Sequence, residues 1–535
     1  MITWGSARRE TIGRRLFANA ENDPDRIVHE CDGRQISHGE LLSSAVAYAN
    51  AYSDFGVGPG DVVATFMENR VEHSFSWGAC SLLGSGHLPC NTFLRGDFLR
   101  HQLGKGEAEV AVVDPGLVDR VLAISEELPS LRHLVLRGTA EEAAAVSGPL
   151  PVTSTEEILA GDSGKLHFDR QPRHDDLNAI IFTGGTTGPS KGVAMSQSYV
   201  VAMLETTRRC NGWTPSSIYY QPLPLFHINA LGLTVIQPVL FGGKGVTASA
   251  LSITEFWNEV RRHRATHLSL FGPLYLMLWG LPPQDSDSDN PAQVSVGYCP
   301  VDIHEGFERR FGLRIYSSYA LSEAIMVAHS TPDDLPPPGR AGRPNPDYEV
   351  RLLDDNDEEV PVGEVGEICV RPRRPYVMFS GYHNDPAGTA SAFRNLWFHT
   401  GDLGSFDADG YLAFVDRKAD YLRRRGENIS TYEVEQVIIR FPAVAEVAVH
   451  GVPSEVGEEE VKATVRLRPG ATLDHRELLD HCASRMPYYA VPRYIEVVDD
   501  LPRSPIGRVQ KFELKEAGIT PGTFDRASIG YEVSK

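Results

Sequence analysis

The stretch that most constrains this chain is Ile180–Val193, which reads IIFTGGTTGPSKGV. Its apolar start, Ala179–Phe182, predicts a buried strand. The glycines that follow permit a sharp turn whose backbone N–H groups point at one place, and threonine hydroxyls and Lys191 add donors. We therefore predict a loop that holds phosphate groups. It is not a Walker A loop, because Pro189 and Ser190 separate the last glycine from the lysine. Taken alone, a turn of this composition more often has no ligand, so its function must be judged from the other segments of the chain.

Length, charge and cysteine content limit the classes of protein to which this chain can belong. A chain of 535 residues exceeds one ordinary hydrophobic core and predicts at least two domains. A formal net charge of -20 argues against nucleic acid or an anionic membrane as the main partner. Seven scattered cysteines without a CxxC pair indicate reduced thiols. With neither a signal-peptide core nor a span-length apolar segment, we expect a cytoplasmic protein.

The pattern of apolar residues changes along the chain. Residues 1–180 alternate between helical and strand patterns, which predicts a mostly parallel α/β sheet. A helix with an apolar face is predicted to begin within Ile36–Leu41, and Lys191 is followed by a polar stretch and a helix. The strands predicted from apolar runs are Val62–Phe66, Val110–Val113 and His133–Leu136. The segment Val294–Pro300 predicts a strand that ends in a turn, and Ile315–Glu323 predicts a strand that runs into polar groups.

From Tyr348 onward, the period of two residues predicts antiparallel strands. Glu349–Leu353 and Gly366–Val370 show this period, and the acidic run Asp354–Glu359 reads as an exposed hairpin tip. The charged segment 416–428 then leads into a small α+β unit of roughly 110 residues. We predict an α/β protein of two domains. Residues 1–417 form a large nucleotide- and acyl-binding domain of mixed sheets with helices and a small β subdomain. Residues 418–535 form a small, mobile α+β domain.

Seven separated segments occur in an order that is typical of one superfamily. They are TGGTTGPSKG (183–192), PLFHINA (224–230), YALSE (319–323), GEI…SGY (366–382), TGD (400–402), DRKADYLRRRGENIS (416–430) and PRSPIGRVQK (502–511). In these segments the chain resembles the adenylate-forming superfamily of acyl-CoA synthetases, luciferases and peptide-synthetase adenylation domains. It is most similar to the acyl-CoA synthetase type. The N-terminal third fits this family in length but carries no sharp motif.

The resemblance implies a ligase with two half-reactions. A carboxylate first attacks the α-phosphate of ATP, which gives an acyl-adenylate and pyrophosphate. The small domain then rotates, and the thiol of coenzyme A attacks the acyl carbon. The implied cofactors are ATP or a supplied acyl-AMP, Mg²⁺ and coenzyme A. The implied partner is a small carboxylic acid or its adenylate, and a homodimer is a guess from base rates.

The resemblance also implies roles for single residues. The catalytic residues that it implies are His227, Glu323 and Arg508, and Glu323 is also the Mg²⁺ ligand. Adenine would lie against Tyr319, and Asp402 would accept from both ribose hydroxyls. The residues implied in binding nucleotide, acyl group or coenzyme A are Thr183, Gly184, Gly185, Thr186, Thr187, Gly188, Lys191, Gly297, Tyr298, Cys299, Tyr319, Ala320, Ser322, Asp402, Arg417, Arg425, Gly426 and Glu427.

Each of these residues has a simpler interpretation. His227 reads equally as an ordinary loop histidine, and Tyr319 as a core residue. Glu323 suits the N-terminus of a helix, and Asp402 after a glycine suits a turn. The run Arg423–Arg425 is either an exposed charged face or a contact for the phosphates of coenzyme A.

Three residues depart from the family pattern. Gly184 stands where a serine hydroxyl is usual, and Ala320 replaces a glycine. Arg508 stands where a lysine normally bridges the carboxylate and the nucleotide during adenylation. Arginine keeps the charge, but its planar fork does not replace a compact ammonium at a tight site. We therefore form the hypothesis that adenylation is weak or lost while thioester formation from a supplied acyl-adenylate survives. The alternative is neutral drift in a chain with nine lysines among 51 basic residues.

Other functions remain open from sequence alone. One is a stand-alone adenylation domain that loads a carrier protein, and another, of a different class, is a non-catalytic nucleotide-binding protein. A luciferase-type oxygenase has no identifiable mark here. The acyl pocket is predicted along His227–Leu231, Phe271–Leu274, Gly297–Cys299 and Ala320–Ile325. These segments are mainly apolar and contain neither Lys nor Arg, which argues against a dicarboxylate.

Overall fold

The computed structural model describes residues 11–185, 188–417, 421–424, 427–454, 458–503 and 509–534. Within these ranges the chain divides into two compact units. The first unit draws on residues 1–92, 103–181 and 192–416, and the second on residues 93–102, 182–191 and 417–535. Two segments from the N-terminal part of the sequence thus belong to the second unit, which no sequence pattern indicates.

The first part of the chain alternates helices and strands. The strands are β1 (Ile27–Cys31), β2 (Arg34–Ser37), β3 (Val62–Phe66), β4 (Gly86–Pro89), β5 (Ala108–Val113), β6 (His133–Leu136), β7 (Val152–Ser154), β8 (Leu177–Gly185) and β9 (Gly188–Ser196). The α-helices are Ile12–Asn22, His38–Asp54, Glu72–Leu83, Gly96–Lys105, Val118–Leu122, Ala140–Ala145 and Thr155–Leu159. The order β7-β6-β5-β3-β4-β8-β9 forms a seven-stranded sheet whose pairs from β7 to β8 are parallel, as predicted.

Two local predictions for this part concern where helices begin. The helix predicted to begin within Ile36–Leu41 begins at His38, because the Ser37 hydroxyl accepts a hydrogen bond from the Glu40 N–H and caps it. The apolar face predicted for it is formed by Leu41, Val46 and Ala49, which are buried, and Leu42, which is half-buried. The helix predicted after Lys191 is present and begins at Gln197, and the stretch before it belongs to the strand Gly188–Ser196.

A second sheet follows, whose pairs are parallel except for the antiparallel pair of β1 and β2. Its new strands are β10 (Ile218–Gln221), β11 (Lys244–Thr247), β12 (His267–Ser269), β13 (Val294–Val296) and β14 (Arg314–Tyr316), in the order β14-β13-β12-β10-β11-β1-β2. The α-helices of this region are Gln197–Cys210, Ile228–Leu231, Gln237–Phe241, Phe256–His263, Gly272–Trp279 and His304–Phe311. A π-helical turn, Gly232–Ile236, joins two of these helices.

Antiparallel strands complete the first unit. They are β15 (Ser318–Tyr319), β16 (Ala328–His329) and β17 (Arg343–Pro344) in one sheet, and β18 (Tyr348–Leu353), β19 (Gly366–Pro372), β20 (Phe393–Arg394), β21 (Trp397–Phe406) and β22 (Leu412–Arg417) in another, with the helix Pro386–Ala392 between β19 and β20. β18 pairs with β19 along its whole length, which confirms the strands predicted from the period of two.

The second unit contains its own core. Its strands are β23 (Tyr421–Arg424), β24 (Glu427–Ser430), β25 (Val444–Pro453), β26 (Glu459–Leu467), β27 (Tyr494–Val497) and β28 (Thr523–Asp525), and its α-helices after residue 417 are Thr431–Ile438, His475–Ala483 and Lys511–Ala517. β25 to β28 form one sheet and β23 pairs with β24, so the α+β class predicted for this region is confirmed.

The cysteines of this chain are buried, which affects the protonation of their thiols. All seven are free and buried, as expected for reduced thiols. Burial raises the pKa of the Cys31 and Cys482 thiols to about 12, so these thiols stay protonated near neutral pH. Among the described residues, no helix has the length and apolar character required to cross a bilayer.

Candidate active site

Tyr319 and Asp402 meet in the first unit although 83 residues separate them. Tyr319 ends β15, and Asp402 lies within β21. The Tyr319 hydroxyl donates a hydrogen bond of 2.6 Å to Asp402 Oδ2, and both residues are buried. The ring of Phe414 lies nearly parallel to that of Tyr319, with centroids 6.2 Å apart. An aromatic ring beside a buried carboxylate suits a ligand that offers a flat ring and hydroxyl groups.

The turn before Asp402 holds its backbone in place. The Thr400 hydroxyl donates to the Ile368 carbonyl at 2.7 Å and accepts from the Asp402 N–H at 3.1 Å. Gly401 has a φ of 73°, a conformation that disfavours a side chain, and its N–H donates to Glu367 Oε1 at 3.0 Å. The three residues of the TGD segment therefore have structural as well as chemical reasons for their identity.

Glu323 is a buried carboxylate with a positioned partner. The Tyr382 hydroxyl donates a hydrogen bond of 2.9 Å to Glu323 Oε1, and the Glu323 carbonyl accepts from the Phe379 N–H at 2.9 Å. A carboxylate held in one orientation fits the preference of Mg²⁺ for hard oxygen ligands. The residues present therefore fit the predicted ion.

Ser322 directly precedes Glu323, and its backbone is held by Tyr199. The Tyr199 hydroxyl donates to the Ser322 carbonyl at 2.9 Å and accepts from the Ile325 N–H at 3.0 Å. Burial raises the pKa of Tyr199 well above its usual value, so the hydroxyl keeps the proton that this arrangement needs. The segment from Ser322 to Ile325 is thereby anchored to the helix Gln197–Cys210.

His227 directly precedes the short helix Ile228–Leu231 and is half-buried. Its ring lies 4.6 Å from the ring of Phe226, and its backbone N–H donates to the Pro224 carbonyl at 3.1 Å. The helix continues into the π-helical turn Gly232–Ile236. Such turns are frequent at functional sites.

The predicted acyl-binding residues after β13 differ in their exposure. Gly297 has a φ of 146°, and a Cβ atom at this position would lie 1.8 Å from the Leu270 carbonyl oxygen. Only glycine fits there. Tyr298 is 47% exposed, and Ala320 is also exposed. Cys299 points inward and is 1% exposed, and burial raises the pKa of its thiol to about 12.

Part of the predicted acyl pocket belongs to the hydrophobic cores. Leu231 and Ala324 are buried in one core, and Leu274 is buried in another with Cys299. Phe271 is only partly buried. Within the predicted segments, the side chains left accessible are therefore fewer than the sequence suggests.

The glycine-rich segment is described on both sides of its centre. Gly184 and Gly185 belong to β8, Gly188 begins β9, and Thr183 and Lys191 are half-buried. Thr186 and Thr187 lie outside the described residues, as do the side-chain surroundings of Gly184, Gly185 and Gly188.

Next to Lys191, Ser190 forms an interaction that the sequence does not indicate. Its N–H and hydroxyl donate to Glu433 Oε1 at 3.0 and 2.9 Å, and His101 Nε2 lies 2.8 Å from its carbonyl oxygen. All three residues belong to the second unit. Burial raises the pKa of Glu433, and the Ser190 donors and His101 oppose that shift.

The remaining predicted site residues come from the last part of the sequence. Arg425, Gly426 and Arg508 fall outside the described residues, and for Arg417 only the backbone in β22 is described. Glu427 begins β24 and is half-buried.

The arginine run 423–425 was expected to be an exposed face or a phosphate contact. This expectation is wrong for Arg424, whose side chain is only 4% exposed. Its Nε lies 2.7 Å from Glu460 Oε2, and it donates from its NH1 atom to the Tyr489 carbonyl at 2.7 Å. The alternation of β23 turns this residue into the core.

Sequence reasoning missed four of these residues. Tyr199, Tyr382 and Phe414 contact predicted site residues, and Glu433 contacts the glycine-rich segment. Tyr382 ends the SGY segment, so its motif carried a signal. The other three lack a local sequence signal because their partners are brought together by tertiary structure.

Sequence models of known families match most of this chain. The sequence model described as AMP-binding enzyme matches residues 16–383, and that of the AMP-binding enzyme C-terminal domain matches residues 433–508. The chain belongs to the AMP-binding enzyme family. The predicted superfamily, fold class and enzyme class, an AMP-forming acid–thiol ligase, are thereby confirmed. ATP, Mg²⁺ and coenzyme A are the cofactors of that enzyme class.

Individual relatives of this AMP-binding enzyme span nearly its whole length. The crotonobetaine/carnitine–CoA ligase of Salmonella paratyphi C (strain RKS4594) is 29% identical over 511 residues, which cover 93% of this chain and 97% of that protein. ATP-bound MatB from Rhodopseudomonas palustris is 28% identical with a TM-score of 0.68, covering 95% and 98% of the two chains. The o-succinylbenzoate CoA synthetase of Bacillus subtilis has a TM-score of 0.80 over 94% and 98%, but at 24% identity it supports the fold alone.

Proposed function

We propose that this AMP-binding enzyme joins a largely apolar carboxylic acid to coenzyme A through an acyl-adenylate. The observation that carries the proposal is the buried pair of Tyr319 and Asp402, together with the carboxylate of Glu323. Adenosine offers a flat base for the tyrosine ring and ribose hydroxyls for the aspartate. The relative from Salmonella is named as a CoA ligase, which supports coenzyme A as the acceptor.

In the first half-reaction, the carboxylate of the acid attacks the α-phosphorus of ATP, and pyrophosphate leaves. Ser322 donates to the α-phosphate, and the segment Thr183–Lys191 holds the β- and γ-phosphates. Glu323, oriented by Tyr382, is the group that would hold Mg²⁺. When bound, this ion offsets negative charge on the phosphates. In the second half-reaction, the thiol of coenzyme A attacks the acyl carbon, and AMP leaves.

The other residues of the site have supporting roles in this proposal. His227 contacts the carboxylate or closes the acyl pocket, whose wall includes Gly297–Cys299 and Ala320. Arg417 contacts the ribose or the phosphates, and the segment Arg425–Glu427 contacts coenzyme A. The domains 1–417 and 418–535 rotate relative to each other between the half-reactions.

A finer proposal concerns the first half-reaction, which we infer to be weak or lost. It rests on the sequence, because Arg508 is outside the described residues. The guanidinium of arginine is wider than an ammonium, and a displacement of about 1 Å in a catalytic group can cost roughly 10²-fold in rate. Gly184 also lacks the usual hydroxyl at the site of the departing pyrophosphate.

Two assays on the purified chain test both levels of the proposal. The first measures ATP–pyrophosphate exchange with a panel of acids that includes crotonobetaine and carnitine. The second measures thioester formation from synthetic acyl-adenylates, with coenzyme A and a carrier protein as competing acceptors. Thioester formation without exchange is the expected result. Robust exchange contradicts the weak-adenylation proposal alone, and no thioester from any acid or adenylate contradicts the ligase proposal itself.

The variant Arg508→Lys separates the two explanations of this substitution. If the arginine limits adenylation, the lysine variant raises exchange by at least about tenfold and leaves thioester formation from acyl-adenylate unchanged. The matched control is Arg503→Lys, which changes an arginine that pairs with Glu446. Equal exchange by the wild type and Arg508→Lys supports neutral drift.

A further inference from the structure

Three potential metal-binding side chains converge in the antiparallel sheet of the first unit. Glu367 and Cys369 are two residues apart on β19, and His399 on β21 lies directly opposite Cys369 in the strand register. One ligand atom from each of the three residues lies within 4.8 Å of the other two. The Mg²⁺ ligand proposed above, Glu323, is not part of this cluster.

Two distances within the cluster are close to those between neighbouring ligands of a tetrahedral metal site. His399 Nδ1 lies 3.4 Å from Cys369 Sγ and 3.1 Å from Glu367 Oε2. Zinc bonds of about 2.0–2.3 Å at tetrahedral angles place neighbouring ligand atoms about 3.3–3.6 Å apart. The side chains therefore need only small adjustments to share one ion.

The other nitrogen of the His399 ring supplies an independent observation. His399 is 7% exposed, and its Nε2 has no hydrogen-bond partner among the described residues. Oδ1 of Asp357 lies 3.6 Å from this nitrogen. Histidines that bind a metal through one nitrogen commonly direct the other N–H at a carboxylate, which fixes the ring. Asp357 is placed for that function.

The guanidinium of Arg394 places a positive charge beside this cluster. Its NH2 atom lies 2.9 Å from His399 Nδ1, 3.0 Å from Asp357 Oδ1 and 3.8 Å from Glu367 Oε2. Its side chain is 49% exposed, so it can withdraw towards solvent. The guanidinium therefore lies close to the ring nitrogen and the Glu367 carboxylate that would bind the ion.

We propose that Glu367, Cys369 and His399 form a binding site for a divalent cation of the zinc type, which displaces Arg394. A thiolate, an imidazole and a carboxylate together favour Zn²⁺ over Mg²⁺ or Ca²⁺. On binding, the Cys369 thiol releases its proton to solvent, so two negative ligands balance the dication. Water completes the coordination. The other oxygen of Glu367 accepts from Gly401, so the site lies directly behind the turn that carries Asp402.

Cobalt substitution tests the ligand set in the full-length protein. After removal of metal with a chelator, Co²⁺ should bind once per chain and give the visible bands of a tetrahedral site and a near-ultraviolet thiolate band. Cys369→Ser should lose the thiolate band and bind Zn²⁺ at least about tenfold more weakly. The matched control, Cys210→Ser, changes another buried thiol and should retain both.

The variant Arg394→Gln tests the competition and guards against a folding artefact. Removal of the competing charge should tighten Zn²⁺ binding by at least about tenfold in a chelator-competition titration. A damaged fold would weaken binding rather than strengthen it. The proposal is overturned if Arg394→Gln binds Zn²⁺ no more tightly than the wild type, or if Cys369→Ser keeps the thiolate band. None of these readouts depends on the ligase reaction.

Discussion

The phenol oxygen of Tyr382 lies 2.9 Å from Oε1 of Glu323 and holds this buried carboxylate in one orientation. The two residues are 59 positions apart, and the backbone of Phe379 also binds the Glu323 carbonyl. The proposed Mg²⁺ ligand is thus positioned by the SGY segment.

Tyr382→Phe should therefore weaken Mg²⁺ binding without removing the ligand itself. Loss of a group that orients a metal ligand typically costs 10- to 100-fold in metal affinity, and we expect about tenfold. Calorimetric titration of ATP with increasing Mg²⁺ measures this effect without requiring adenylation. Tyr411→Phe, which removes a hydroxyl bonded to Asp334 instead, is the control. An unchanged Mg²⁺ dependence in Tyr382→Phe would remove Tyr382 from the site.

Tyr319 should contribute to nucleotide binding through its ring more than through its hydroxyl. Stacking of a base on an aromatic side chain is worth about 1–3 kcal/mol, so Tyr319→Ala should weaken binding of AMP or acyl-AMP by about fivefold or more. Tyr319→Phe should change binding by less than about threefold, because ribose hydroxyls replace the tyrosine as donors to Asp402. Equilibrium binding of a fluorescent AMP analogue distinguishes the two variants. Equal losses in both would mean that the hydroxyl, not the ring, is the important group.

Glu460→Gln should destabilise the second unit strongly. The change leaves the buried Arg424 guanidinium without its carboxylate, and breaking such a pair costs about 3–5 kcal/mol. No tryptophan follows residue 397, so hydrogen exchange of the β25 and β26 amides is a better measurement than fluorescence.

Two control variants test whether the loss of stability comes from breaking the buried ion pair. Glu359→Gln breaks the pair with Arg351, whose side chains are 56% and 43% exposed, and should cost less than about 1 kcal/mol. Arg424→Met combined with Glu460→Leu should recover most of the lost protection, because it removes both charges. Unchanged exchange in Glu460→Gln would show that the ion pair contributes little.

Buried histidines should make the first unit sensitive to acid. Burial lowers the pKa of His29 from 6.5 to about 3 and that of His73 to about 4, and His87 shifts in the same direction. Below pH 6.5 the unfolded chain binds protons that the folded chain does not. The stabilisation is thus complete above pH 6.5 and is lost as the pH falls towards 4.

Each of these histidines adds up to about 1.4 kcal/mol per pH unit to the slope of unfolding free energy against pH. Urea unfolding at pH 7, 6 and 5 measures this slope. His73→Gln keeps a polar side chain near Thr65 and should reduce the slope by about the contribution of one proton. A slope that stays the same in the variant would show that His73 does not titrate on unfolding.

The sequence predicted the architecture well where local pattern determines structure. The strand predicted at Val62–Phe66 is bounded as expected, because an apolar run between turn residues has few other solutions. The period of two around Val350 and Val370 likewise predicted an antiparallel pair. The motif at Tyr319 and that at Asp402 were each found in the sequence, and the structure joins them by a hydrogen bond.

What the sequence did not predict depends on contacts between distant segments. Arg424 occurs in a run of charges that is normally exposed, and only the packing of β23 against β26 gives it a carboxylate partner. Glu433 is a typical acidic residue near a helix start until Ser190 donates to it from a segment 243 residues earlier. No local pattern encodes either pairing.

Gly297 restricts how this enzyme can change its substrate over evolution or by design. A side chain there would overlap the Leu270 carbonyl, so the backbone at the end of β13 tolerates no enlargement. In the proposed acyl pocket, variation in the size of the acyl group is instead expected at Tyr298 and Ala320, whose side chains are exposed. A library limited to these two positions should therefore shift acid preference while the strand beneath them stays unchanged.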